Sequence, residues 1–162
     1  MKIPMRFLPA LAIAITALVT GWSASAQQMR ASLNIETASA IIEGCVAHAA
    51  GNSMLVSIAV FDNGANLMAF YRMDGSVLVS VQIAQRLAAT AAKIPVPTRL
   101  VDQIATNTPG FAFIEGIASF KGGLPIMTAE GDHLGGVGVS GGSSDQDEDC
   151  AQAGLDFALG AE

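Results

Sequence analysis

The sequence predicts an α+β domain in which α-helices cover one antiparallel β-sheet. The segment 54–62 is rich in β-branched residues, and the turn sequence DNGAN joins it to a returning strand at 67–73; such a turn is a strong hairpin signal. A second pair of segments, 117–128 and 133–142, is joined by AEGDH. Helical patterns precede, separate and follow these two hairpins. Because strands of a hairpin pair antiparallel, we expect one antiparallel sheet with helices packed on it.

The first helix is predicted over the segment SLNIETASAIIEGCVAHAA. Asn34 or Thr37 could cap its start, since side chains of both types accept a hydrogen bond from the first turn. Ile41, Cys45 and His48 recur at helical spacing, so they are expected to share one stripe of the helix surface.

Three more helices are predicted along the chain. The second runs from Val77 to Lys93, because its alanine-rich half outweighs its β-branched start, and the following IPVP ends it. Thr98 is expected to cap a short third helix. Ser143 or Ser144 is expected to cap the last helix, whose acidic first turn suits the helix dipole.

Residues 1–26 have the layout of a secretory signal peptide. Two basic residues precede an apolar run at 7–19, and residues 24–26 spell an A-x-A cleavage site. The run is short for a transmembrane helix. We therefore expect cleavage after Ala26, leaving residues 27–162 as a single domain that is periplasmic or secreted and has no membrane span.

The charge balance argues against a nucleic-acid partner. The chain has 8 basic and 14 acidic residues and a net charge of −6, and loss of the signal peptide would remove two of the basic residues. Such a surface repels nucleic acid and anionic lipid.

Residues 136–141 spell G-x-G-x-x-G, the pattern of a dinucleotide-binding loop. Such a loop needs a following helix and a second parallel strand, but the remaining chain predicts one helix and no strand. That helix starts with Asp145, Asp147, Glu148 and Asp149, which would repel phosphate. The match is interpreted as accidental, and the glycines are expected to let another chain segment or a flat ligand approach this strand closely.

Four stretches carry a resemblance to a known family: VSIAVFDNGANLMAFYRMDG, IAQRLAATAA followed by IPVPT, FKGGLPI, and GVGVSGGSSDQDEDCAQAGL. On these, residues 33–159 resemble the GlcG/HbpS-like family, which includes the C-terminal domain of PduO-type proteins. The last stretch is the most specific. The resemblance implies a profilin-like α/β (α+β) fold with a five-stranded antiparallel sheet and flanking helices.

The resemblance also implies a function. Members of the family are described as haem-binding, some as haem-degrading, and others accompany glycolate or cobalamin metabolism; they tend to form homo-oligomers. The leading hypothesis is an exported haem (tetrapyrrole)-binding protein acting in haem sensing, storage or detoxification. The alternatives are a small-molecule enzyme or accessory factor acting on an organic acid or aldehyde, and a structural oligomer without a ligand. Leu87 stands where the family commonly has lysine, so a role resting on that lysine is not expected.

Four residues are candidates for the haem site. His48 resembles in position the first-helix histidine proposed as an axial haem ligand in the PduO-type branch; otherwise it is a helix-edge histidine without a ligand. Arg72 could pair with a haem propionate, or with Asp74 or the acidic last helix. Lys121, beside two glycines, could form a pocket wall, or the glycines could form a bulge in an edge strand. His133 is interpreted as an exposed turn residue.

The remaining iron-binding side chains are given other roles. Tyr71 falls within a strand pattern, and the methionines fit core or strand positions. Cys45 and Cys150 are expected to form a disulfide, because the first and last helices of a profilin-like fold pack side by side and export provides an oxidising environment. The acidic residues 145–149 are interpreted as a solvated helix start rather than a calcium site.

Overall fold

The computed structural model describes residues 30–160, so the signal peptide predicted for residues 1–26 lies outside the described residues. The elements, in chain order, are α1 Ile35–Gly51, β1 Ser57–Asp62, β2 Leu67–Arg72, α2 Ser80–Lys93, α3 Thr98–Asn107, a 3₁₀ helix Pro109–Phe113, β3 Gly123–Met127, β4 His133–Ser140 and α4 Ser144–Leu159. The strands form one antiparallel sheet in the order β2-β1-β4-β3. The predicted α+β class is confirmed.

The sheet of the described residues has four strands, and the expectation of five is wrong. The four strands are those of the two predicted hairpins, and the fifth was implied only by the family resemblance. Part of the segment that precedes β3 contacts α2. The Ala118 N–H donates to the Thr90 hydroxyl at 2.8 Å, instead of to a neighbouring strand. Gly122 then has φ +116°, which a strand residue does not adopt. The regular register with β4 begins at Gly123, and the Gly122 carbonyl just before it accepts from the Val139 N–H at 2.8 Å.

The first hairpin is closed by a side chain of its own turn. The Asp62 carboxylate accepts hydrogen bonds from the backbone N–H groups of Gly64 at 2.9 Å and Asn66 at 2.8 Å. Hydrogen bonding from the Asn66 backbone holds the pKa of Asp62 below its usual value. The turn itself contains Ala65 at φ +58°.

Helices α1 and α4 begin at side-chain caps. The Asn34 side chain accepts from Thr37 N at 2.8 Å, so Asn34 and not Thr37 is the cap of α1. Ser143 caps α4, and its own N–H donates to the Gln146 side chain at 2.9 Å, which completes a capping box. Ser144 is instead the first residue of α4.

Helices α2 and α3 begin differently from the sequence-based expectation. Helix α2 starts at Ser80 and not at Val77, because the buried Ser80 hydroxyl donates to the Val77 carbonyl at 2.6 Å and closes a turn there. Thr98 is the first residue of α3 but does not cap it. Its hydroxyl accepts from the Gly123 N–H at 3.0 Å, so it fastens α3 to the start of β3.

Helices α1 and α4 cover one face of the sheet. Their contact with each other is close, because an added Cβ at Gly44 would lie 3.0 Å from the Gly154 Cα. A disulfide joins Cys45 of α1 to Cys150 of α4, with Cα atoms 4.9 Å apart. The sheet side chains beneath them form the main core and are fully buried: Ile58, Val60, Val137 and Val139.

Helix α2 covers the opposite face at much closer range. A Cβ added at Gly138 would meet the Ala84 carbonyl oxygen, and one added at Gly136 would meet that of Ala88. The glycines of the GVGVSG sequence therefore serve the first of the two expected purposes, the close approach of another chain segment. This packing leaves no room for a nucleotide at that strand.

Candidate functional site

An apolar groove of about 560 Å³ lies between α1 and the edge strand β2. Its walls are mostly small and apolar, and they comprise Ser39, Ile42, Glu43, Val46, Ala47, Ala50, Ala69, Phe70 and Tyr71. Among the described residues β2 is the edge strand of the sheet, so the large core side chains at the centre of this face end here and leave open space. The volume is within the roughly 300–1,000 Å³ typical of small-molecule sites.

Tyr71 brings a hydroxyl to this groove. It pairs with Ile58 in the sheet register, and Ile58 belongs to the core beneath α1 and α4. Since residues paired across two strands project to the same face, the tyrosine ring extends toward α1. Its side chain remains exposed, at 45%. The sequence analysis placed Tyr71 in a strand but missed that this strand is an edge strand, so the ring was not recognised as a pocket wall.

His48 lies away from the groove. It is half-buried and follows Gly44 and Cys45 by one turn, in the row of α1 that contacts α4. At 3.6 residues per turn, this row is about 180° from the centre of the α1 residues that line the groove. The helical spacing therefore puts His48 on the α4 side of α1, and its role as a haem ligand stays a prediction.

Arg72 projects to the other face of the sheet. It pairs with Ser57, whose hydroxyl lies 2.8 Å from that of Ser80 on α2. The Arg72 guanidinium donates to the Ser76 hydroxyl at 3.1 Å and to the Ser76 carbonyl at 3.3 Å. The alternative of an ion pair with Asp74 or the last helix is wrong for the described residues, since their two ion pairs both use other cations.

Lys121 lies near the start of α4, where it forms an ion pair with Asp145. That hydrogen bond and charge raise the pKa of Lys121. Beside it, Arg99 pairs with Glu148 at 2.6 Å. The two glycines after Lys121 do not form a bulge, because the irregularity in the β3–β4 pairing lies between Ile126 and Met127. His48, Arg72 and Lys121 are thus on three different parts of the molecule.

A second groove, of about 440 Å³, lies between α4 and the other edge strand, β3. It is more polar than the α1–β2 groove, because Arg99, Gln152 and Asp156 line it together with residues of β3. Lys121 is not among its lining residues. The two edges of the sheet therefore carry two grooves of different chemistry.

Asp147 is a buried carboxyl that the sequence analysis treated as solvated. Only 6% of the residue is exposed, and its Oδ1 accepts from the Gly142 N–H at 2.8 Å. Burial raises the pKa of Asp147, against the opposing effect of hydrogen bonds from the backbone of Gly142 and Gly141. A Cβ added at Gly122 would lie 3.3 Å from the Asp147 Cβ and 3.1 Å from the Leu87 Cδ1, so a buried leucine borders the same glycine.

The second histidine, His133, is the first residue of β4 and is half-exposed. Its register partner is Met127 of β3, which puts it at the opposite edge of the sheet from the α1–β2 groove.

Within residues 30–160, no three His, Cys, Asp or Glu side chains are arranged to hold a metal ion. Among the helices of the same residues, none is long and apolar enough to cross a membrane.

These features define a small α+β domain with a four-stranded antiparallel sheet and an open groove at each sheet edge. Residues 33–156 match the family model described as "Haem degrading protein HbpS-like". The chain belongs to the HbpS-like family, and the resemblance identified from the four sequence stretches is confirmed.

Individual relatives agree with this assignment. Protein GlcG of Escherichia coli K12 is 36% identical over 109 residues, which cover 67% of this chain and 81% of GlcG. Among solved structures, a double mutant of Streptomyces reticuli HbpS is 32% identical, with a TM-score of 0.75 over 81% of this chain and 90% of that one. A structure called the PduOC:Heme complex is 26% identical, with a TM-score of 0.71 over 80% of this chain and 96% of that one.

Proposed function

We propose that this protein binds haem after export from the cytoplasm. The observation that carries the proposal is the similarity to the PduOC:Heme complex, which extends over 96% of that chain. The family description as haem-degrading supports the same ligand. Haem sensing, storage or detoxification is the role that we propose for such an exported haem-binding protein.

The α1–β2 groove fits this ligand. Haem is a flat, largely apolar ring, and it needs a shielded surface and an axial donor for its iron. The groove offers aliphatic and aromatic walls and one phenol oxygen, that of Tyr71. Bound haem would supply iron-centred redox and ligand-binding chemistry, and the residues of the groove would orient the ring and exclude water from one of its faces.

Export is proposed from the N-terminal sequence and is supported by the disulfide. Disulfides persist in the periplasm and outside the cell but are rare in the cytosol. The buried pair Cys45–Cys150 therefore suits a protein that folds in an oxidising compartment. The intact mass of the exported protein tests this proposal: a mass that starts at Gln27 is expected, and one that retains residues 1–26 would contradict it.

Haem binding is tested by titrating the purified protein, residues 27–162, with haemin. A saturable Soret change at a fixed stoichiometry is expected. No saturable change would overturn the proposal, and would favour the alternative of an enzyme or accessory factor acting on an organic acid or aldehyde.

We also propose that the protein forms a homo-oligomer. Three consecutive aliphatic residues between β2 and α2 are exposed, Val77 at 57%, Leu78 at 80% and Val79 at 56%. On α3 and the 3₁₀ helix, Ile104 and Phe113 are also exposed, at 45% and 87%. Exposed apolar side chains in this number favour contact with another protein surface. Light scattering at micromolar concentration is expected to show more than a monomer, and a monomer alone would contradict the proposal.

A further inference from the structure

We infer that haem binds in the α1–β2 groove with the Tyr71 phenolate as its axial iron ligand. The inference rests on the proposed function and names the site and the donor, neither of which the sequence analysis identified. Tyrosinate is an established protein ligand of haem iron.

The first support is the shape and chemistry of the groove. It lies at the edge of β2 that pairs with no other described strand, so a planar ring can approach it from solvent. Ile42, Val46 and Ala69 supply apolar contact to the ring, while Ala47 and Ala50 leave it space. The α4–β3 groove is instead lined by the charged side chains of Arg99 and Asp156. An apolar ring bound there would remove water from these charges, which costs free energy.

The second support is the position of the other possible donors in the described residues. His48 faces α4, on the opposite side of α1 from the groove. His133 lies at the β3 edge. Both cysteines are joined in the disulfide. Of the residues that line the groove, Tyr71 alone carries a side chain that commonly holds haem iron.

The one charged residue of the groove sets the orientation of the ring. Glu43 lines the groove from α1 and is exposed, and its carboxylate would repel the haem propionates at close range. The ring is therefore inserted with its apolar edge toward Glu43 and its propionates in solvent. Removing this charge in Glu43→Gln is expected to leave haemin affinity unchanged or to tighten it, and a weaker complex would contradict this orientation.

The ligand is tested by haemin titration of the wild type, Tyr71→Phe, Tyr71→His and His48→Ala, with Soret position and Kd as readouts. Tyr71→Phe keeps the ring but removes the oxygen, so we expect a shifted Soret band and a Kd raised by about tenfold or more, equivalent to about 1.4 kcal/mol. Tyr71→His is expected to recover affinity with a different Soret position, because imidazole replaces phenolate. His48→Ala is expected to match the wild type.

The location is tested by filling each groove in turn. Ala47→Phe places a ring in the α1–β2 groove at an exposed helix position, and should raise the Kd for haemin about tenfold or more. The matched control, Gln152→Phe, fills the α4–β3 groove at an equally exposed helix position and should leave the Kd unchanged. Circular dichroism and thermal unfolding establish that both variants are folded.

The outcomes separate this inference from the proposed function. If the wild type shows no saturable Soret change, the haem function itself fails. If the wild type binds haemin and Tyr71→Phe keeps the Soret position and Kd, Tyr71 is not the ligand and the inference is overturned while the function stands. Unchanged binding by Ala47→Phe would likewise overturn the groove as the site.

Discussion

The two faces of the sheet are covered by helices in opposite ways. On one face, α1 and α4 stand off from the sheet across branched side chains such as Ile58 and Val139, and a disulfide holds the two helices to each other. On the other face, α2 lies directly against backbone, because Gly136 and Gly138 remove the side chains between them.

This difference decides where a ligand has room. A helix in backbone contact with a sheet leaves no gap at its sides, and the α2 face accordingly buries small residues such as Ala84 and Ala88 completely. Helices held off by a layer of side chains leave space where that layer ends. Both grooves described above lie on that face, at its two edges, β2 and β3.

The largest effect is expected from breaking the bridge between α1 and α4. The disulfide spans 105 residues, and the chain-entropy model gives about 4.7 kcal/mol for a loop of roughly 100 residues, with measured losses of about 2–5 kcal/mol. The double variant Cys45→Ala/Cys150→Ala should therefore lose about 2–5 kcal/mol of unfolding free energy in urea.

Reductant supplies the control for this prediction. Dithiothreitol should lower the stability of the wild type but not that of the double variant. Two free thiols found by labelling the denatured, non-reduced wild type would show that the bond does not form, and would contradict the prediction.

A smaller but still large effect is expected on the α2 face. Gly138→Ala adds a methyl group where the Ala84 carbonyl and the Leu87 Cβ already lie, and overpacking of this kind costs about 1–3 kcal/mol. The matched control is Gly51→Ala at the end of α1, where an added Cβ meets nothing within 4 Å. If urea unfolding shows the same stability for both variants, α2 is not in backbone contact with the sheet.

The contrast between the faces was only partly predictable from sequence. The hairpin turns and alternating strands predicted the antiparallel sheet, and the glycines of β4 predicted close approach of a segment. The two predicted hairpins correspond to the four strands of the sheet, and the fifth strand was implied only by the family resemblance. What the sequence did not show is that the segment before β3 contacts α2, through the hydrogen bond from the Ala118 N–H to the Thr90 hydroxyl. Local sequence carries no signal for that contact.

The site was harder to predict than the fold for a similar reason. The sequence identified the histidines and basic residues as candidates from their chemistry. It did not show that His48 lies on the side of α1 away from the groove, because that depends on where α4 packs. The importance of Tyr71 depends on β2 being an edge strand, which follows from the strand order β2-β1-β4-β3. The burial of Asp147 similarly arises from tertiary packing around Gly122, although the acidic helix start suggested solvent exposure.

Asp147 gives a prediction about pH. Burial raises the pKa of Asp147 in the folded protein above the ordinary aspartate value of 3.8, so the folded state binds this proton more tightly than the unfolded state. The contribution of Asp147 to stability is therefore fully present below pH 3.8 and is lost as the pH rises through the raised pKa. Asp147→Asn keeps an oxygen that can accept from the Gly142 N–H, and removes the charge.

Unfolding free energies of the wild type and Asp147→Asn, measured from pH 3 to 7, test this sign. As the pH rises, the wild type should lose unfolding free energy relative to Asp147→Asn. Asp147→Ala is the informative second variant, because it leaves the Gly142 N–H without its acceptor and should cost about 1–3 kcal/mol. A difference that moves in favour of the wild type with rising pH would mean that the carboxylate is stabilised by folding.

The smallest expected effect on stability comes from the N-terminal caps of α1 and α4, the two helices that cover the same face of the sheet. Asn34 provides a single 2.8 Å cap to α1, so Asn34→Ala should cost about 1 kcal/mol. The Ser143 hydroxyl caps α4 with a longer hydrogen bond, of 3.4 Å. In Ser143→Ala the start of α4 would still have two other hydrogen bonds, from the Ser143 N–H to the Gln146 side chain and from the Gly142 N–H to the Asp147 carboxylate. Ser143→Ala should therefore cost less than Asn34→Ala in urea unfolding. Asn34→Asp retains an acceptor and should stay near the wild type, and an equal loss from both alanine variants would show that the additional bonds at α4 do not compensate for the cap.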